Sequence, residues 1–283
     1  MITKILKCSL ILVTLSATLA CMPFQPDSLT DICESEPQIC DDLHQIGDCR
    51  YKRTSLIRAR YLDKKEPNEA HTRLLLTELD SYESCLELTL FMQFTRNKER
   101  KTQRLENYLA AQNLMEAKLK ETKGTQDPHL AYFLWTHHQD LAAKTVFLRA
   151  ANKKGLKDIR LLTKLATIYS KEDPQRALDL LFKALRESKS ISALPQNVFT
   201  SMMTIFYQEK EFEQAYIWAL IAKEESTEEE FPINLDLILQ KGLINGKKMI
   251  LNEDALEDMA DKYHQQLTEG AFHLQAPQLR RLN

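Results

Sequence analysis

The chain has 283 residues, with only 6 glycines and 9 prolines, and its interior segments are rich in Leu, Ala, Glu, Lys and Gln. This composition is typical of helical proteins. The 38 basic and 40 acidic residues give a net charge of −2, which argues against a nucleic-acid-binding protein. A chain of this length can bury a substantial core, either as one elongated helical array or as two packed pieces.

The first 20 residues have the pattern of an export signal. Lys4 and Lys7 precede an apolar stretch around Leu10 to Val13, and this stretch is too short to span a membrane. Small residues then lead to Cys21. We therefore predict that residues 1–20 are a signal peptide and that the mature protein begins at Cys21.

Cys21 has two interpretations. A bacterial lipoprotein signal places Leu and two small residues before a cysteine whose thiol receives diacylglycerol. Here Leu19 lies one place later than usual, with Thr18 in its position. The favoured prediction is a lipid anchor in the outer membrane facing the periplasm, because Met22 rather than Asp follows the cysteine. The alternative is ordinary cleavage after Ala20, which would release a soluble periplasmic protein.

Four cysteines remain in the mature chain beyond Cys21, namely Cys33, Cys40, Cys49 and Cys85. An even number of cysteines in an exported protein predicts two disulfide bonds. The alternative is a zinc site, but no two of these cysteines have the close spacing of structural zinc ligands. We predict no metal site and no cofactor.

Segment 21–50 contains three of those four cysteines and few helix signals, whereas Cys85 lies in a strongly helical stretch. At least one bridge must therefore leave the segment if all four cysteines pair. The segment has few apolar residues for docking unaided, so we expect a bridge to Cys85 to anchor it.

Residues 51–124 are predicted to form an antiparallel helical hairpin. Apolar and aromatic residues recur in two stretches at spacings of three and four, which is the helical period. They are Leu75, Leu79, Tyr82, Leu86 and Leu90 in the first stretch, and Leu105, Tyr108, Leu109, Met115 and Leu119 in the second, where the polar Gln112 stands at the same spacing. The connection carries the basic residues Arg96, Lys98, Arg100, Lys101 and Arg104. This basic turn either meets anionic lipid headgroups or is simply solvated.

Residues 125–267 are predicted to form helical repeats, followed by a tail at 268–283. Small and bulky residues recur at a helix-turn-helix period, on the second helix of each pair and on the first. The second helices carry Ala143, Phe147 and Ala150, then Ala177, Leu181 and Ala184, then Ala215, Ala219 and Ala222; the first helices carry Ala131 and Leu134, Ala166 and Tyr169, and Met203 and Phe206. Small residues let paired helices approach closely.

This pattern resembles tetratricopeptide or related short helical repeats. The predicted fold class is therefore all-α, a helical hairpin followed by tetratricopeptide-like antiparallel helix pairs in an α-solenoid. We expect the first helices of the pairs to line a partner-binding groove. A generic helical bundle is the alternative, because heptad-like spacing also produces such echoes.

The cysteine-containing block carries a family resemblance. Its phrases stand in close order as Ile32-Cys33-Glu34, Pro37-Gln38-Ile39-Cys40, Asp48-Cys49-Arg50 and Leu56-Ile57-Arg58-Ala59-Arg60-Tyr61. The block resembles a bacterial lipoprotein family with a domain of unknown function, over the region from about Asp31 to the C-terminal third. The resemblance implies no catalytic residues.

Two apparent catalytic motifs are rejected. The stretch from Gly242 to Lys248 echoes a phosphate-binding loop, but it is one residue short and lacks the Ser or Thr that would hold magnesium. Glu83-Ser84 followed by Met92-Gln93 is similar to fragments of lytic transglycosylases, whose Glu acts as a general acid in a cleft. Both pairs lie in one continuous helical pattern, so we interpret Glu83 as part of a solvated helix face.

The remaining candidate residues are aromatic or imidazole side chains. His137 and His138 are adjacent, so they point in different directions on a helix, and with His129 they form no obvious metal set. Trp135 and Trp218 lie in the predicted repeats, where an aromatic side chain usually belongs to the core.

Two classes of function remain. The favoured one is a membrane-tethered interaction module, not an enzyme, whose partner is an unidentified envelope protein or peptide. The other is a periplasmic enzyme or regulator that acts on cell-wall material through an unrecognised site. The first is favoured because repeated packing is recognisable in the sequence, while no nucleophile-base or metal set can be assembled from it.

Overall fold

The computed structural model describes residues 28–227, 231–244 and 252–279, and the secondary structure of these residues is helical throughout. The predicted all-α class is therefore confirmed. The chain divides into two compact units, Met1–Lys123 and Gly124–Asn283. The predicted signal peptide, Cys21 and most of the rejected phosphate-loop motif lie outside the described residues.

The described part of the first unit, residues 28–123, contains four α-helices and one short 3₁₀ turn. They are α1 (Leu29–Ser35), the 3₁₀ turn Pro37–Ile39, α2 (Arg50–Lys65), α3 (Glu69–Thr89) and α4 (Glu99–Glu121). Helix α3 packs against both α2 and α4, so the structure adds a helix to the predicted hairpin. Helix α2 is rich in basic residues, but it buries Leu56, Ile57 and Ala59. These three apolar residues pack α2 into the core.

The N-terminal segment docks through its own side chains, contrary to the expectation that it has too few apolar residues. Its buried apolar residues are Ile32, Ile39, Leu43 and Ile46. The side chain of Asn107 on α4, which is fully buried, accepts a hydrogen bond from the His44 N–H at 2.6 Å and donates to the His44 carbonyl at 2.9 Å. Burial of each such apolar side chain stabilises by about 1.5–3 kcal/mol, so the disulfide is not the sole anchor.

The second unit is a succession of helices. They are α5 (Pro128–His138), α6 (Leu141–Ala151), α7 (Ile159–Tyr169), α8 (Pro174–Glu187), the 3₁₀ turn Ile191–Ala193, α9 (Asn197–Gln208), α10 (Phe212–Glu224), α11 (Leu235–Ile244) and α12 (Glu253–Thr268). Helix α5 packs on α6, α7 on α8 and α9 on α10. The loops inside these pairs are only a few residues long, so the paired helices run antiparallel.

Aspartate caps define where several of these helices begin. The Asp127 carboxylate accepts a hydrogen bond from the Leu130 N–H, and Asp173 accepts one from the Arg176 N–H. In both cases proline follows at the first helical position, where its missing N–H costs nothing. An Asp-Pro pair is a helix-start signal that can be read in the sequence itself, and a helix begins at each of these two pairs.

The helix pairs meet at small residues. Ala143, Ala177 and Ala215 are all buried, at 4, 0 and 0% exposure. The predicted register fails at one position, because Ala150 is partly exposed and Ala151 is the buried residue at the end of α6. The small residue that recurs at position 150 in the predicted repeat therefore does not lie at a packing contact.

The described part of the C-terminal tail, up to residue 279, contributes to the core. Phe272 is buried among Phe182, Trp218 and Tyr263. The chain turns at Gly270, whose φ is +68°, and a Cβ there would overlap the backbone carbonyl of Lys189.

Beyond that turn, the tail lies along α8. Arg186 donates to the Leu274 carbonyl at 2.8 Å. Gln175 donates to the Pro277 carbonyl at 3.2 Å and accepts from the Leu279 N–H at 2.7 Å. The tail thus covers the exposed side of a second helix of the repeats.

Candidate functional site

An open cavity of about 250 Å³ lies between the first helices α7 and α9. We call it the α7–α9 groove. Its floor is apolar and consists of Ala166, Leu181 and Ile205, which are all buried. Ala166 comes from α7, Leu181 from α8 and Ile205 from α9, so three consecutive helices together form the floor.

Hydroxyl groups line the walls of the α7–α9 groove. They belong to Thr167, Ser170, Thr200, Ser201 and Thr204. Each donates its proton to a carbonyl of its own helix, at distances between 2.7 and 3.1 Å. A hydroxyl has one donor and two acceptor lone pairs. These five hydroxyls can therefore still accept hydrogen bonds from a ligand.

The groove is edged by longer polar side chains. Lys171 and Gln208 line it and are exposed. Among the residues that the structure describes, no acidic group pairs with Lys171. The edge of the groove thus carries a positive charge that is available to a ligand, while its floor offers apolar contact.

Two of the predicted first helices, α7 and α9, line this groove, but none of its hydroxyl residues is among the candidates predicted from the sequence. Of the small-and-bulky pair on α7, Ala166 lies in the floor of the groove. Tyr169 does not line it and instead carries the Arg176 guanidinium over its ring at 3.8 Å. A usable signal was present on α9, where Thr200, Ser201 and Thr204 follow the three-and-four spacing of one helix face.

The expected disulfide bonds are present in the first unit. Cys33 pairs with Cys40, and Cys49 pairs with Cys85. The first bridge closes a short loop inside the N-terminal segment. The second joins the residue just before α2 to α3, so only this bridge leaves the segment.

The predicted basic turn is shorter than expected, because Arg100, Lys101 and Arg104 belong to helix α4. Helix α4 begins at Glu99, and Arg104 within it is only 1% exposed. Its guanidinium donates to the Thr89 carbonyl and to the Asp48 carboxylate, and it lies 4.8 Å from the centre of the Phe94 ring. Arg104 therefore holds the turn between α3 and α4 against the N-terminal segment.

Glu83 is not part of a fully solvated helix face, contrary to the prediction. Its side chain is half-buried, and its Oε1 atom is buried without a hydrogen-bond partner. Burial, together with the nearby negative charges of Asp80 and Glu87, raises the pKa of Glu83 to about 7. An elevated pKa is a property of general acids, but Glu83 does not line the α7–α9 groove.

The histidine candidates have structural surroundings. His129 Nε2 lies 2.9 Å from Asp158 Oδ2. Burial acts to raise the pKa of Asp158, but the hydrogen bonds from the Leu161 N–H and from His129 outweigh it and lower that pKa. The His137 ring stacks on Phe133 with 4.4 Å between ring centres. Across the described part of the chain, no three His, Cys, Asp or Glu side chains are placed to hold a metal ion.

The two tryptophans differ in burial. Trp218 is fully buried and contacts Phe182, Phe199 and Phe272, as expected for the core. Trp135 is only partly buried, and the Lys144 ammonium lies 5.0 Å from its ring centre. Neither side chain lines the α7–α9 groove.

None of the described helices is both long and apolar enough to cross a membrane. Comparison with known proteins identifies one family model, described as a protein of unknown function (DUF2989), which matches residues 19–220. No curated protein and no solved structure matches the chain. The matched region includes both disulfides and all residues of the α7–α9 groove, and it ends within α10. Because the match covers well over half of the chain, the chain belongs to the DUF2989 family of proteins of unknown function.

Proposed function

We propose that the chain is a helical-repeat interaction module whose α7–α9 groove binds an extended peptide segment of an envelope protein. In this proposal α5 to α10 are three tetratricopeptide-like pairs. The observation that carries it is the chemistry of the groove, where hydroxyls that already donate to their own helices surround an apolar floor.

An extended peptide fits this chemistry. Its backbone N–H groups need acceptors, and the lone pairs of the groove hydroxyls supply them. The volume of about 250 Å³ lies below the roughly 300–1,000 Å³ of small-molecule pockets. The groove is thus sized for one side chain of a peptide that continues beyond it, with Lys171 at the edge suited to an acidic group of that peptide.

The hydrogen bonds that the groove hydroxyls already donate favour binding over catalysis. A nucleophilic hydroxyl needs a general base as its hydrogen-bond acceptor, but Ser170 and Ser201 donate to backbone carbonyls. The alternative function, action on cell-wall material, would need a different site. Glu83 has the elevated pKa of such a site, but its side chain does not line the α7–α9 groove.

The proposed location is the outer membrane, facing the periplasm, with a lipid on Cys21. Two disulfide bonds support an oxidising compartment. If Cys21 is instead only the first residue after cleavage, the protein is soluble in the periplasm. Metabolic labelling with a fatty acid distinguishes the two, because label should enter the native chain and not the Cys21→Ala variant.

Site-specific crosslinking in intact cells tests the interaction. A photo-reactive amino acid is placed at Thr204, which lines the groove and is exposed, or at Thr145 of α6 as a matched control. Thr145 is also an exposed helical threonine whose hydroxyl donates to a backbone carbonyl, at 3.2 Å from Leu141. We expect a defined segment of one envelope protein to be captured from Thr204 only.

The captured segment is then made as a synthetic peptide and titrated into the purified chain. The combined changes Thr200→Val, Ser201→Ala and Thr204→Val remove three acceptors and should weaken binding by at least about tenfold, with the melting temperature kept. Equal capture from Thr204 and Thr145, or unchanged affinity, contradicts the proposal. Capture of carbohydrate alone would favour the cell-wall alternative.

A further inference from the structure

The turn between α3 and α4 exposes large apolar side chains beside unpaired cations. We call residues 88–101 the α3–α4 tip. Leu88 is 85% exposed, Phe91 86% and Met92 48%. The same tip carries the exposed cations Arg96, Lys98, Arg100 and Lys101. Within the described part of the chain, none of these four cations forms an ion pair, and Glu99 is the only acidic residue of the tip.

The base of the tip is fixed to the unit rather than left loose. The buried Arg104 guanidinium holds the Thr89 carbonyl and the Phe94 ring. Asn97 has a φ of +54°, a left-handed conformation that asparagine tolerates better than most residues. The apolar side chains are therefore displayed by a positioned segment.

Exposure of this kind is unfavourable in water. Leu88 and Phe91 are the two most exposed large apolar side chains of the described residues, and burying either would be favourable. Cations next to exposed apolar side chains are the combination found on protein surfaces that bind at the membrane interface. There the apolar groups enter the acyl boundary and Lys or Arg meet anionic headgroups.

We propose that the α3–α4 tip binds the surface of an anionic lipid bilayer. Leu88, Phe91 and Met92 enter the interface, and the four cations contact lipid phosphates. The four cations of the tip complement the negative charge of lipid phosphates, which favours an anionic bilayer over an uncharged apolar partner. The contact is independent of the peptide groove and of any lipid on Cys21. With an anchor present, it would set which face of the first unit meets the membrane.

Depth-dependent quenching tests the proposal on the full chain purified without a lipid on Cys21, so that no anchor contributes to vesicle binding. The Phe91→Trp variant is mixed with vesicles of equal parts phosphatidylglycerol and brominated phosphatidylcholine, whose bromine quenches only tryptophan that enters the bilayer. The matched control is Leu141→Trp, which replaces a 71% exposed leucine of the second unit. The unsubstituted chain gives the background from Trp135 and Trp218.

We expect quenching of the Phe91→Trp variant only, and only when phosphatidylglycerol is present. Each Lys or Arg near an anionic surface strengthens binding by about fivefold. The double change Arg96→Gln and Arg100→Gln should therefore weaken vesicle binding by roughly 25-fold, and added salt should do the same in part.

The charge control is Lys153→Gln with Lys154→Gln, two exposed lysines of the second unit, which should leave binding unchanged. Equal quenching of the Phe91→Trp and Leu141→Trp variants would overturn the proposal. So would quenching in vesicles of phosphatidylcholine alone, or a chain that dimerises through the tip and ignores the vesicles.

Discussion

The Cys49–Cys85 bridge should contribute more to stability than the Cys33–Cys40 bridge. A disulfide restricts the unfolded chain, and the loss of entropy grows with the loop that it closes. The sequence separations are 36 and 7 residues. The chain-entropy relation then gives about 3.8 kcal/mol for the long loop and about 2.4 kcal/mol for the short one.

The perturbation is the pair of changes Cys49→Ala and Cys85→Ala, compared with Cys33→Ala and Cys40→Ala. Each variant also removes one well-buried sulfur, from Cys49 at 1% or Cys40 at 6% exposure, so the packing losses are similar. The difference in the free energy of unfolding should therefore be about 1.4 kcal/mol in favour of the long loop. The N-terminal segment should stay docked in both variants, because its apolar side chains remain buried.

Guanidinium unfolding of the purified, non-reduced variants measures this difference. Circular dichroism follows the helices of both units. Tryptophan fluorescence identifies the transition of the second unit, because Trp135 and Trp218 both lie there. The loop-entropy reasoning is refuted if loss of the Cys33–Cys40 bridge destabilises the first unit as much as loss of the Cys49–Cys85 bridge, or more.

Three further predictions concern stability. Ala177→Leu should overpack the contact between α7 and α8 and cost about 1–3 kcal/mol of the free energy of unfolding. Ala142→Leu, at an exposed position of α6, should leave the melting temperature unchanged. If both variants melt at the same temperature, Ala177 does not lie at such a contact. Gly270→Ala should lower the free energy of unfolding, measured with a denaturant, by roughly 2–5 kcal/mol. Its Cβ would clash with a backbone carbonyl and would also strain a left-handed backbone. Gly124→Ala, with φ +81° and open space around it, should lose only the part that comes from backbone strain. Between pH 4.5 and about 7 the folded chain holds a proton on Glu83 that the unfolded chain has lost, because folding raises the pKa of Glu83. The free energy of unfolding should therefore fall by about 1–2 kcal/mol as the pH rises through this window, after allowance for solvent screening. Glu83→Gln should remove that part of the pH dependence.

Local features of the chain were predictable because their causes are local. The Asp127-Pro128 and Asp173-Pro174 starts depend on a carboxylate and a proline within one helical turn. The three-and-four spacings correctly predicted α3 and α4 as helices. On α4, however, the predicted stripe does not mark the buried face, because Leu105 and Leu109 are each 48% exposed. The buried residues of α4 are Arg104, Asn107, Ala111 and Met115. The presence of disulfides followed from an even number of cysteines, but their pairing did not, since it depends on which Cα atoms the fold brings within bridging distance.

Features that depend on contacts between distant residues were missed or wrongly interpreted. Arg104 looked like one of five cations in a turn, and only the approach of Asp48 and Thr89 makes it a buried brace. Glu83 looked solvated because its sequence neighbours are polar, yet packing of α3 among other helices buries one of its oxygens.

The sequence by itself determined the all-helical class, the helix starts and the small residues at the helix seams, because composition, capping and the helical period act within a few residues of one another. The tertiary structure decided which surfaces those helices form together. The hydroxyls of Thr167 and Thr204 became one groove only when α7 and α9 came together, and Phe91 proved to be exposed only because no other described element covers it. The spacing of polar and apolar residues in the sequence indicates which face of a helix is polar. Packing of the whole unit determines which neighbouring helix that face meets.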